Sequence, residues 1–85
     1  MKPRSIRLFI KPGCPWCREA MNWLDQHGLR HETLDVVADA AAWAEMERLS
    51  GQTLAPVLAV DGQVLADFGA SELAAWWATC GFPLP

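Results

Sequence analysis

The chain has 85 residues, which is enough for one domain and leaves no room for a second. Its formal charge of −3 excludes the broad basic footprint of a nucleic-acid-binding protein. Although 52% of the residues are hydrophobic, no apolar run approaches the roughly 18–20 residues that span a bilayer, which excludes a transmembrane segment.

Lys2, Arg4 and Arg7 open the chain, but no apolar core of a signal peptide follows before Lys11-Pro12-Gly13 breaks the pattern. That points to a cytoplasmic protein. Residues 6–10 are apolar except for Arg7 and read as a largely buried strand. A helix is expected over residues 15–27, where Trp16, Cys17, Ala20, Met21 and Leu24 fall at helical spacing. Pro15 suits the first helical position, where its missing N–H costs nothing, so Cys14 would be the N-cap. Gly28 is a natural stop.

Residues 31–37 can form a second strand. Asp39 can cap a second helix over residues 40–50, with Trp43, Met46 and Leu49 on one stripe, and Gly51 ends it. Two short apolar runs, 57–60 and 64–66, flank Asp61-Gly62-Gln63, and Asp-Gly between such runs signals a hairpin. Ser71 can cap a last helix that turns Leu73, Trp76, Trp77 and Cys80 inward, with Gly81 and Pro83 closing it. The order βαβαββα predicts an α/β domain over residues 1–85, a mixed four-stranded sheet flanked by three helices. The first two strands should be parallel, joined by a right-handed crossover.

Cys14-Pro15-Trp16-Cys17 carries the chemistry. Two thiols two residues apart can close a small disulfide ring and reopen it. At a helix start the first thiol is well placed to ionise, because unpaired N–H groups and the positive end of the helix dipole favour negative charge there. The thiolate is the nucleophile. Three cysteines, the third being Cys80, do not make a structural disulfide framework in so short a chain. They fit one working pair and one thiol left over, for which a small buried hydrophobe is the simplest role. Zinc sites also use this spacing, but normally with a second pair or added histidines. Here His27 and His31 flank a loop and are assigned nothing, and no metal is expected. Trp23, Trp43, Trp76 and Trp77 read as core or rim packing.

The chain resembles the glutaredoxin family, within the thioredoxin fold, over almost its whole length. The resemblance rests on Lys11-Pro12-Gly13-Cys14-Pro15-Trp16-Cys17, on Gly51-Gln52-Thr53-Leu54-Ala55-Pro56-Val57, and on Asp61-Gly62 followed by Phe68-Gly69-Ala70-Ser71-Glu72-Leu73. It implies a thiol–disulfide oxidoreductase in which Cys14 attacks a disulfide or a glutathione mixed disulfide. Cys17 then resolves a protein mixed disulfide, and glutathione, a co-substrate rather than a tightly bound cofactor, restores the dithiol. The partners so implied are glutathione and disulfide-containing or glutathionylated proteins, met by a monomer with neither nucleic acid nor membrane as ligand.

The same resemblance suggests where glutathione would lie. Lys11 would stabilise the Cys14 thiolate and meet a carboxylate. Trp16 replaces the usual Tyr beside the pair. Pro56 stands where thioredoxin folds carry a cis-proline, and the backbone of Ala55 could pair with the cysteinyl part of the ligand. The family usually has Thr-Val before this proline, where this chain has Leu54 and Ala55. Before the last helix the family commonly has Gly-Gly-x-Asp-Asp-Leu or Gly-Gly-x-Ser-Asp-Leu, and Phe68 here replaces one glycine. Ser71, Glu72 and the helix N-terminus would take the γ-glutamyl end, or Ser71 and Glu72 would only cap and charge that helix. Two other readings stand beside this one. An electron donor reduced by thioredoxin reductase would use the same dithiol. A binding module would hold an iron–sulfur cluster on Cys14 between two subunits, although Pro15 stiffens the loop where cluster-binding relatives have a smaller residue.

Overall fold

The computed structural model describes residues 3–84. Its elements follow the expected order: β1 (Ile6–Ile10), α1 (Pro15–Gln26), β2 (Glu32–Asp35), α2 (Ala40–Ser50), β3 (Val57–Val60), β4 (Gln63–Ala66) and α3 (Ala70–Cys80). The sheet order is β2-β1-β3-β4. β1 runs parallel to β2, with Phe9 opposite Leu34, and antiparallel to β3, with Leu8 opposite Leu58. The β3–β4 hairpin is antiparallel and pairs Val60 with Gln63 across a two-residue turn. Asp61 and Gly62 both take positive φ there, 48° and 89°, which is the backbone that such a tight turn requires.

Alternation along the strands builds a core on each face of the sheet. Leu8, Leu58 and Val60 meet Ala20 and Leu24 of α1 and Leu73 and Trp77 of α3 on one face. Phe9 and Val57 point the other way, against Ala42 and Met46 of α2. The mixed four-stranded sheet with three helices is therefore what the periodicities implied, and its thioredoxin-like arrangement is what the resemblance implied.

Four elements differ from expectation at their ends. β4 starts one residue early, because Gln63 pairs with Val60 and leaves only Asp61 and Gly62 in the turn. β2 covers only residues 32–35, because the Asp35 carboxylate accepts the N–H groups of Val37 and Ala38 and turns the chain out of the sheet. α3 is capped by extended Gly69 rather than by Ser71, which lies exposed within the first turn. α1 ends at Gln26, with His27 as its C-cap. Trp77 is fully buried, whereas Trp76 and Cys80 are only half-buried at the rim, so the expected inward stripe is narrower than four residues. Trp77 packs between Trp23 and Phe82, at ring separations of 5.6 and 5.2 Å, and its buried indole N–H finds no acceptor among the described residues.

Candidate functional site

β1 delivers the chain to Lys11, and Pro12-Gly13 turns it into α1. Cys14 is the N-cap of that helix, extended at φ −90° and ψ 111°, with Pro15 in the first turn. Its Sγ accepts the backbone N–H of Cys17 at 3.1 Å, in the place where a Ser or Asp oxygen commonly caps a helix. The sulfur thus faces unpaired donors at the positive end of the helix dipole. Both thiols are free; Cys14 is half-exposed and Cys17 only 2% exposed.

Burial pushes the Cys17 thiol up to about 12, helped by its hydrogen bond with the Cys14 sulfur and by the negative charge which that sulfur can carry. A backbone hydrogen bond from Lys11 and the Lys11 charge offset part of the rise. The pair is therefore unequal: one sulfur is accessible and hydrogen-bonded, the other dry and protonated.

Three loops frame this pair. The Lys11 ammonium donates to the Thr53 carbonyl at 2.6 Å and lies 4.9 Å from the centre of the Trp43 ring. The segment that follows Thr53 carries a cis Ala55–Pro56 bond, and the Pro56 carbonyl accepts the Asp67 N–H at 3.0 Å. Residues 53–56 thus run between Lys11 and the loop that enters α3. In that loop Asp67 has φ 53°, Phe68 is buried, and Gly69 lies under the Trp16 indole. A Cβ added at Gly69 would stand 3.2 Å from that ring. Glu72 turns one carboxylate oxygen back to the Gly69 N–H at 2.9 Å. Trp16, Asp67, Phe68, Gly69 and Glu72 line a hollow of about 200 Å³. Larger hollows at the far end of the sheet, around Arg30 and His31, border no cysteine.

Of the residues singled out from sequence, Cys14, Cys17, Trp16, Lys11, Ala55, Pro56 and Glu72 fall on these three loops and the start of α1. Ser71 is exposed one residue before Glu72 and makes no side-chain hydrogen bond among the described residues. Three contributions were not singled out as site residues from sequence. Trp43 sits beside Lys11. Gly69 supports Trp16. The Gln52 carboxamide receives the Leu54 N–H on its oxygen and donates to the Leu54 carbonyl at 3.1 Å. A glutamine two residues from its backbone partner has no fixed signature, unlike the shorter Asn and Asp turns. Among the described residues no group of three His, Cys, Asp or Glu side chains converges as metal ligands. No described helix is long and apolar enough to cross a membrane.

The glutaredoxin family profile matches residues 6–65. A glutaredoxin-like 8.6 kDa protein of the rubredoxin operon of Clostridium pasteurianum is 29% identical over 80% of this chain and 91% of its own length. Glutaredoxin 3 of Escherichia coli K12 is 30% identical over 69% of this chain and 71% of its own. Among solved structures, the glutaredoxin-like NrdH-redoxin of Escherichia coli shares the fold with a TM-score of 0.72 at 20% identity, covering 95% of this chain and 99% of that one.

Proposed function

The chain belongs to the glutaredoxin family of thiol–disulfide oxidoreductases, and from that premise we propose that it reduces protein disulfides and glutathione mixed disulfides through Cys14 and Cys17, with glutathione as reductant. The observation that carries this reading is the inequality of the two sulfurs.

The Cys14 thiolate attacks a substrate disulfide. A Cys14–substrate S–S bond forms, and the other substrate sulfur leaves as a thiolate. Capture also changes Cys17. Burial is the main cause holding the Cys17 proton and remains; the negative charge that Cys14 can carry is a lesser one, and a sulfur in a mixed disulfide bears no charge. Cys17 can then lose its proton and attack Cys14 Sγ. The internal disulfide forms, the second substrate thiol leaves, and two electrons have passed to the substrate. Two glutathione molecules return the pair to the dithiol and leave as glutathione disulfide.

Three features support glutathione as the small thiol. The backbone of Ala55 makes no hydrogen bond to the described residues and is free to pair with a cysteinyl backbone. Glu72 commits one oxygen to Gly69 and keeps the other for an ammonium group, beside exposed Ser71 and the α3 N-terminus. Lys11 can exchange the Thr53 carbonyl for a carboxylate, a stronger partner. The test is glutathione-dependent reduction of a small mixed disulfide, coupled to glutathione reductase. Turnover that disappears in Cys14→Ser is expected. No turnover and no glutathione binding with Cys14 intact would reject the assignment.

A second reading keeps the dithiol and replaces glutathione by thioredoxin reductase. Its support is that Phe68 fills a position where the family commonly has glycine, and that Lys11 and Glu72 already have internal partners. Turnover with each reductant, measured side by side, separates the two.

A further inference from the structure

Among the described residues, four large apolar side chains are exposed: Trp16, Val37, Leu54 and Leu84. The first three lie on the loops at the dithiol end of the sheet. Trp16 is inside the dithiol loop. Val37 follows Val36, whose N–H donates to the Ile10 carbonyl at 3.0 Å, beside Lys11. Leu54 sits on the segment that Thr53 ties to Lys11 and Pro56 ties to Asp67.

Leu54 is 55% exposed, yet its backbone is tightly held. Gln52 engages both its N–H and its carbonyl, as a neighbouring strand would. Gln52 is itself held: its carboxamide donates to Ser50 Oγ at 3.3 Å, and that hydroxyl gives its one proton to the Met46 carbonyl at 2.7 Å, with the Gln52 carbonyl at 3.0 Å as the alternative acceptor. The chain of bonds runs from the last turn of α2 to the residue before Ala55. Val37 is pinned in the same manner by Asp35, and Trp16 rests on Gly69. Exposed apolar groups on mobile loops lose backbone entropy on contact, and the backbones of Leu54 and Val37 are already held.

We infer that Leu54, positioned by Gln52, is a specificity-determining residue that selects disulfides whose cysteine is flanked by apolar residues in an extended segment. The inference rests on the proposed dithiol exchange and names its preferred substrate class. The occupant is a polypeptide strand. Its backbone pairs with the unused N–H and C=O of Ala55, its cysteine reaches Cys14, and its neighbouring side chains meet Leu54 on one side and Trp16 on the other. A hydrophilic tripeptide thiol gains nothing from Leu54. An apolar neighbour of the cysteine gains the burial of both surfaces.

The step is a single exchange: the reduced protein closes Cys14–Cys17 and the peptide disulfide opens to two thiols, so no external reductant enters. Pre-reduced protein is mixed with two symmetric peptide disulfides of equal charge, one with Leu and Val flanking the cysteine and one with Ser and Gly. Hydroxyethyl disulfide is run alongside. The quantity read is the ratio of the two peptide rates within each protein.

In the wild type the apolar peptide should react about tenfold faster, the worth of one partly buried leucine. The ratio should fall to about twofold in Leu54→Ser and recover in Leu54→Met. In Gln52→Ala, where Leu54 is present but untethered, it should fall to an intermediate value. Equal wild-type rates, or a ratio unmoved in Leu54→Ser, would overturn the inference while leaving the dithiol chemistry standing. A wild type that reduces neither peptide nor hydroxyethyl disulfide would overturn both. Since each ratio is internal to one protein, a uniform loss of activity in a variant does not obscure it.

Discussion

At the scale of single residues, the site depends on one sulfur being kept neutral. With its pKa raised from 9.0 to about 12, Cys17 at pH 7 carries roughly a thousandfold less thiolate than an unperturbed cysteine. Iodoacetamide should therefore label Cys14 of the reduced protein at neutral pH and leave Cys17 unlabelled, as read by peptide mapping. Cys17 labelling should appear only as the pH climbs toward 12. Stability follows the same group. Between the unfolded and folded pKa values the unfolded chain has released a proton that the native protein keeps. The stabilisation from a neutral Cys17 is thus complete below about pH 9 and is lost as pH rises toward about 12. The melting temperature of the reduced protein should fall across that window, and Cys17→Ala should flatten the fall. The same curve in both proteins would count against a buried, protonated Cys17. Placing Cys17 on the apolar face of α1 was possible from spacing alone. The partners of Lys11 were not, because they come from Thr53 and Trp43, some 30–40 positions along the chain and across the sheet.

At the scale of elements, one charged cluster ties three of them together. Arg7 of β1 holds both oxygens of Glu45 on α2 at 2.6 and 2.7 Å, and its Nε donates to Glu32 of β2 at 3.1 Å. The Arg7 guanidinium holds the Glu45 carboxyl below the usual carboxylate range, against the opposing effect of burial. A depressed carboxyl stabilises the native state above its unfolded pKa and ceases to do so as pH falls through its folded value. Acid unfolding should therefore begin at higher pH in Glu45→Gln, where this contribution is absent. At pH 7 that variant should lose about 1 kcal/mol in urea denaturation, since both groups are partly exposed and Glu32 remains. A loss under about 0.3 kcal/mol would mean that solvent screens the bidentate pair. Sequence periodicity located all seven elements, because each buries a distinct stripe or face. It misplaced the ends of β2 and the start of α3, where side chains of Asp35 and Glu72 reach back to the backbone and decide where a strand or helix yields. Such local competitors have no period to detect.

At the scale of the whole molecule, two cores share one sheet, and the larger is centred on Trp77. Small domains retain about 5–15 kcal/mol of net stability, so the loss of one large side chain is a major fraction. Trp77→Ala should cost about 3–5 kcal/mol and leave a marginal fold. Trp77→Phe should cost much less, because the indole N–H it removes is buried without a partner and already carries a desolvation penalty of about 1–3 kcal/mol. Thermal denaturation of the two variants checks the order; equal losses would mean that the indole N–H is satisfied. The helical positions of the tryptophans pointed to core or rim packing, but only the fold separates the one at the centre from those at the rim, since Trp76 and Trp77 are neighbours in sequence and differ only in which way the helix turns them.

The donor that meets the Cys14 sulfur is a main-chain amide. Replacing Cys17 by serine deletes the second thiol and spares that amide; among natural amino acids only proline would abolish it. Such a chain keeps its means of seizing a client and forfeits its means of letting go. It is a ready-made covalent trap, and the proteins recovered from it under non-reducing conditions would be the clients themselves.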